Sequence, residues 1–264
     1  MLTDESFEGW QSWGLTEKPS MIRPFTEGKN HQTFLIAYQG KKYVLKRFSR
    51  SCENAIVAQR CAAEHGIAPA VIYHNEKVAI MDYISGGLPN LNATAHALKV
   101  LHQKMTPKYA PTAMNLMASY DEYLFNGSKT LQQQHAALLP KLREFIEDLT
   151  PQVFCHGDLV NENCLSTDNG KIAQFVDWEY AARYNPWFDL AAVILYRELD
   201  TNQAKEFLRQ YNNWQVKIND RIFITSQIAV LWCDLLWHIN HYGADYEQQY
   251  SHRFEQLNQL NRLL

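Results

Sequence analysis

His156-Gly157-Asp158-Leu159-Val160-Asn161-Glu162-Asn163 carries more chemistry than any other eight residues of this 264-residue chain. It fits the pattern H-x-D-L-x-x-x-N, with an acid, an apolar residue directly after it, and an amide five residues beyond the acid. Fourteen residues after Asn163 comes a second carboxylate, Asp177, at the end of the apolar, strand-like run Lys171-Ile172-Ala173-Gln174-Phe175-Val176. Val153-Phe154-Cys155 supplies an apolar lead-in on the other side. An isolated His-x-Asp arises often by chance. The longer arrangement, with apolar segments on both flanks, does not.

Working outward, the first ninety residues read as strands with one helix. Residues 33–38 are strand-like, Gln39-Gly40-Lys41 forms a hairpin turn, and 43–48 return as the partner strand. Ser51 is the expected cap of a helix running to His65, with Gly66 as its stop. Short strands follow at 71–73 and 78–81, then the breaker Ser85-Gly86-Gly87. Beyond it, residues 94–103, 116–125, 131–149, 186–199, 203–211 and 221–241 repeat apolar positions at threes and fours, the helical period. The expected class is α+β and two-lobed: a β-rich N-terminal lobe over 1–84 and a mainly helical C-terminal lobe over 85–264.

Composition narrows the partners. Hydrophobic residues make up 46% and charged residues 20%, enough for an ordinary globular core. Net charge is −3 with no basic stripe, which argues against a nucleic-acid partner. The apolar stretches 228–231 and 235–237 are interrupted by Cys233, Asp234 and His238, short of the roughly 20 residues a membrane span needs. Met1-Leu2-Thr3-Asp4-Glu5-Ser6 has no basic, apolar leader character. Five cysteines without a C-x-x-C spacing read as reduced thiols, hence a cytoplasmic protein.

The motif residues suit phosphoryl transfer from ATP to a hydroxyl, where positioning and charge neutralisation dominate. Asp158 would take the hydroxyl proton, which needs only an ordinary carboxylate. The Asn163 amide oxygen and the Asp177 carboxylate are hard donors of the kind that hold Mg²⁺ on phosphates. His156 reads as a hydrogen-bonding member of the loop. Lys46, in the apolar strand Tyr43-Val44-Leu45-Lys46-Arg47-Phe48, resembles the phosphate-binding lysine of kinases. Alternation puts it on the face of Val44. Glu53 and Glu64 are available as its partner, though neither falls at the expected place.

Glu27-Gly28-Lys29-Asn30-His31-Gln32 could form a loop over the phosphates, with Asn30 a nucleotide contact. Met81-Asp82-Tyr83-Ile84 should pass the adenine, Asp82 and Ile84 offering backbone groups. Aromatic and acidic residues gather in the C-terminal half: Trp178, Glu179, Tyr180, Trp187, Trp232, Asp234, Trp237, Tyr242, Asp245 and Tyr246. Aromatic faces beside carboxylates suit a cationic acceptor, and Glu179, Trp178, Trp187, Trp232 and Trp237 are the candidates to line its site.

These stretches resemble the aminoglycoside phosphotransferase and choline kinase superfamily. The matches are Phe154-Cys155-His156-Gly157-Asp158-Leu159, Asn163, Val176-Asp177-Trp178-Glu179-Tyr180-Ala181 and Asn185-Pro186-Trp187-Phe188-Asp189-Leu190-Ala191. Gly66-Ile67-Ala68-Pro69 and Ala97-Leu98-Lys99-Val100-Leu101-His102 extend them. The D-W-E-Y-A and N-P-x-x-D-L-A runs are most similar to the choline, ethanolamine and thiamine kinase branch, and the compact length resembles its bacterial members. The resemblance implies a protein-kinase-like fold, ATP with Mg²⁺, and a small-molecule alcohol as acceptor. It also implies Asp158 as base, Asn163 and Asp177 as metal ligands, Lys46 on the phosphates, and Asp189 as a structural support of the loop. The acceptor expected on this basis is choline or a related cationic alcohol, then thiamine, then an aminoglycoside. The rival of another class is a catalytically silent, metabolite-binding relative.

Overall fold

A computed structural model describes residues 7–25, 31–105, 114–125, 128–148, 150–212, 221–243 and 251–264. The class is α+β, as expected. An antiparallel sheet of β1 (Ser20–Pro24), β2 (His31–Tyr38), β3 (Lys41–Phe48), β4 (Val71–His74) and β5 (Val78–Asp82) has the order β1-β2-β3-β5-β4. The helix α1 (Glu53–Glu64) joins β3 to β4. Then come α2 (Leu91–Lys104), α3 (Leu116–Leu124), α4 (Lys129–Ile146) and the short strand β6 (Val153–Cys155). A hairpin of β7 (Cys164–Thr167) and β8 (Ile172–Phe175) precedes β9 (Ala182–Tyr184), which pairs with β6. The chain continues through α5 (Trp187–Tyr196), α6 (Thr201–Asn212), α7 (Arg221–Tyr242) and α8 (Ser251–Arg262). Described residues of Met1–Leu101 and Glu162–Ala181 form one compact unit, and those of His102–Asn161 and Ala182–Leu264 form a second.

In the first unit the β2–β3 turn is Gln39-Gly40, with φ of +47° and +73°. This is the primed geometry that matches strand twist. The sheet buries both faces. Phe34, Ile36, Leu45, Val78 and Ile80 pack with Phe7 and Trp13 on one side. Phe48, Ala79 and Met81 pack with Cys52 and Ile56 on the other. Val44 packs on this second cluster and Leu45 on the first, as alternation required for Lys46 to share the side of Val44.

The cap of α1 is Cys52 rather than Ser51, and it makes no side-chain cap bond. Here the β4–β5 loop secures the start of the helix: Cys52 N donates to Glu76 O and Cys52 Sγ to Asn75 O. Gly66 ends α1 as expected. At φ +73° it lets Gly66 N and Ile67 N reach back to Ala63 O and Ala62 O, a Schellman closure.

Among the elements not anticipated are β1, the short strands β6, β7 and β9, and α8. β1 is an exposed edge strand with a bulge between Met21 and Arg23, which erases the alternation. α8 buries only Leu257 and so carries a weak apolar period.

The second unit is built on α7, which packs against α3, α4, α5 and α8. Its 22 residues form one continuous helix, long and apolar enough to cross a membrane by length and composition, contrary to the sequence expectation. Most of that apolar stretch is buried inside the protein, as in the core helix of a packed domain.

Candidate active site

In the second unit, the loop carrying Asp158 leaves β6 and is gripped from α5. His156 N and Gly157 N donate to Asp189 Oδ2 and Oδ1 at 2.8 and 2.9 Å. Gly157 has φ +81°, a conformation that disfavours any side chain. His156, fully buried, accepts at Nδ1 from Asp158 N over 3.3 Å, which fits its expected part in the loop. Asn185 prepares α5 by accepting from Trp187 N at 3.0 Å. Pro186 beside it gives up an N–H that the first helical turn cannot use.

Behind Asp189 stands His102, whose Nε2 is 3.1 Å from Asp189 Oδ2 and whose Nδ1 is 2.7 Å from the Tyr211 hydroxyl. Both His102 and Asp189 are buried. Burial alone would raise the Asp189 carboxyl. The His102 hydrogen bond and charge, with His156 and the Gly157 N–H, outweigh it and hold the group below the ordinary carboxylate value. His102 was visible only as a helix residue, because its partners lie 87 and 109 positions away.

In the first unit, Val176 N donates to Asn163 O at 3.0 Å, one step beyond the Cys164–Phe175 pair of the β7–β8 hairpin. Register therefore brings Asn163 and Asp177 to the same end of that hairpin. Asp177 adopts φ +66° and is followed by a 3-10 turn over Trp178–Tyr180. Its Oδ1 lies 2.6 Å from Lys46 Nζ. Among the described residues Asp177 is the ion-pair partner of Lys46; neither Glu53 nor Glu64 is.

Glu179, an expected acceptor contact, has partners within the first unit. Its Oε2 sits 2.6 Å from His31 Nε2, with Arg50 at 3.9 Å. The turn that carries it packs against α1, within the first unit. His31 also accepts at Nδ1 from Ser49 N, which leaves Nε2 as the protonated nitrogen in its neutral form.

The other candidates divide by burial. Trp178 is 2% exposed with its indole N–H given to Phe175 O, and Trp232 is fully buried with its N–H given to His135 Nδ1. Neither offers a face to a ligand, so both are core residues rather than acceptor contacts. Trp187 is buried against Phe223. Trp237 is half-buried and stacks on His241 at 4.0 Å. Asp82 is exposed, and its backbone N–H already donates to Ala70 O; Ile84 lies beyond the end of β5. Asn30, Asp245 and Tyr246 lie outside the described residues.

The second unit thus holds a loop bearing an acid fixed by a buried aspartate, and the first holds a lysine paired to another acid. Residues 21–217 match the model of the phosphotransferase enzyme family, three-quarters of the chain, and the protein belongs to that family. It is an ATP-dependent phosphotransferase with an alcohol group as acceptor. The protein LicA homolog of Mycoplasma capricolum subsp. capricolum is 26% identical over 174 residues, covering 62% of this chain and 70% of that protein. The thiamine kinase of Shigella boydii serotype 4 is 25% identical over 203 residues, covering 72% and 70%. Among solved structures, a choline/ethanolamine kinase family protein from Mesorhizobium loti aligns with a TM-score of 0.74. It is 22% identical and covers 94% of this chain and 89% of its own, a likeness of fold.

Proposed function

We propose that this enzyme phosphorylates choline or a related cationic alcohol with ATP and Mg²⁺. The observation that carries the chemistry is the seating of the Asp158 loop, whose two backbone N–H groups end on the buried Asp189 carboxylate. Asp158 accepts the acceptor's hydroxyl proton as its oxygen bonds to the γ-phosphorus. The bond from that phosphorus to the β-bridging oxygen breaks, and ADP leaves with the electron pair. Lys46 supplies positive charge for the nucleotide phosphates.

Asn163 and Asp177 are the residues that would hold Mg²⁺, which when bound neutralises the phosphates. Their oxygen donors are of the type the ion prefers, and no described residue donates to Asp177 Oδ2, which supports the assignment. The nucleotide lobe is assigned to residues 1–84, with Asn30, Asp82 and Ile84 as contacts through backbone groups or side chains. The acceptor lobe is assigned to 85–264. Five cysteines outside any disulfide are consistent with a cytoplasmic enzyme.

The cationic acceptor is supported by the chain's similarity to LicA and thiamine kinase. Thiamine is the second reading, since its charged ring and primary hydroxyl meet the same demands. A coupled assay of ATP consumption with choline, ethanolamine, thiamine and an aminoglycoside panel tests the proposal. One cationic alcohol with a dominant kcat/KM is the expected result. Aminoglycoside-only turnover, or binding of ATP without turnover of any acceptor, would sink it.

A further inference from the structure

Beside the catalytic loop, the second unit holds one more carboxylate with dedicated partners. Asp234 sits in α7 near the fully buried Trp232 and Leu235, and its own side chain is 11% exposed. Tyr196, the last residue of α5, donates its hydroxyl to Asp234 Oδ1 at 3.0 Å. His238, one helical turn further along α7, gives its Nδ1 hydrogen bond to the Asp234 backbone carbonyl at 2.8 Å and passes 3.2 Å from Oδ1. No described residue donates to Oδ2. The residue is half-buried, and Oδ2 keeps solvent access rather than standing as a buried atom without a partner.

Tyr196 also ties this carboxylate to the reaction. Its backbone carbonyl accepts from Asn161 Nδ2 at 2.8 Å, three residues beyond Asp158 in the same loop. Electrostatics agree with that placement. Burial first, then the charges of Asp234 and Asp158, push the Tyr196 phenol well up. The same causes push the Cys233 thiol up to about 12. The geometric link is Tyr196 itself, which holds Asp234 through its hydroxyl and the catalytic loop through its carbonyl.

We infer that Asp234, steadied by the Tyr196 hydroxyl, is the counter-charge for the acceptor's positive nitrogen. Asp158 meets the hydroxyl end of the acceptor and Asp234 the cationic end, so the enzyme selects its alcohol by charge as well as by shape. This rests on the proposed phosphorylation of a cationic alcohol and narrows it to a named specificity residue. A fixed, poorly hydrated carboxylate favours a cation over its neutral isostere more than aromatic packing alone does.

The test compares each charged alcohol with a neutral carbon analogue: choline with 3,3-dimethyl-1-butanol, and ethanolamine with propan-1-ol. Thiamine is assayed by KM alone. The wild-type enzyme is expected to prefer the charged member by about tenfold or more in kcat/KM. Asp234→Asn should raise KM for the charged acceptor by about tenfold or more, with a smaller change in kcat, and collapse the preference. Tyr196→Phe, which deletes only the hydroxyl, should shift KM the same way by a few-fold, and it carries the test if the Asn variant does not fold. Unchanged KM and an unchanged preference in the variants overturn the inference while the kinase reading stands. If the wild-type enzyme phosphorylates none of the three cations, the reading beneath it fails, and the inference fails with it.

Discussion

Asp177 is a non-glycine residue at φ +66°, a conformation that costs about 1–3 kcal/mol and persists only where the surroundings impose it. Here the Lys46 pair and the hairpin behind it hold the carboxylate in place. Asp177→Ala should remove the metal donor and the Lys46 partner, while the Cβ that strains the backbone at positive φ stays. The expected result is somewhat lowered thermal stability with weakened Mg²⁺-dependent nucleotide binding, read by titrating ATP with and without the ion. Unaltered metal dependence would move the metal site elsewhere. Asp158 is proposed to act on the acceptor instead. Asp158→Ala should lower kcat by about a thousandfold or more while ATP still binds. Near-normal turnover in steady-state kinetics would remove it as the base.

Among the elements, α5 does the most positioning. Its first turn presents Asp189 to the loop, its last residue holds Asn161, and His102 of α2 and Tyr211 of α6 back it from behind. Because Asp189 titrates below its ordinary value in the folded protein, its stabilising contribution is complete above the unfolded carboxylate value of about 3.9. It is lost as the pH falls through the lower folded value. Asp189→Asn should therefore cost about 3–5 kcal/mol near neutrality, and denaturant midpoints should show the gap to wild type narrowing as the pH falls below the unfolded carboxylate value. Gly86 illustrates a steric demand in the first unit. A Cβ there would lie 1.7 Å from the Ser166 carbonyl oxygen on β7, and backbone cannot yield as a side-chain tip can. Gly86→Ala should destabilise by about 1–3 kcal/mol or more in equilibrium unfolding. An unchanged midpoint would mean the segment after β5 moves freely off the hairpin.

For the whole molecule, nucleotide binding is a stability term: ATP at a hundred times its Kd should add about 2.7 kcal/mol, visible as a raised Tm. Lys46→Ala should reduce that shift at fixed ATP. By itself, the sequence determined the α+β class, the hairpin turn at Gly40, the stop at Gly66, seven of the helices and the loop of Asp158. These depend on local period, turn chemistry and motif spacing, all written within a few residues. The tertiary structure alone decided that Lys46 pairs with Asp177 across 131 positions, that Glu179 turns to His31, and that Trp178 and Trp232 are core. It also placed His102 behind Asp189 and Asp234 against Tyr196. An aromatic or acidic side chain has the same local signature in a core, an ion pair or a binding site. Its partner is chosen by which distant segments the packing brings within a few ångströms, and no local pattern encodes that distance.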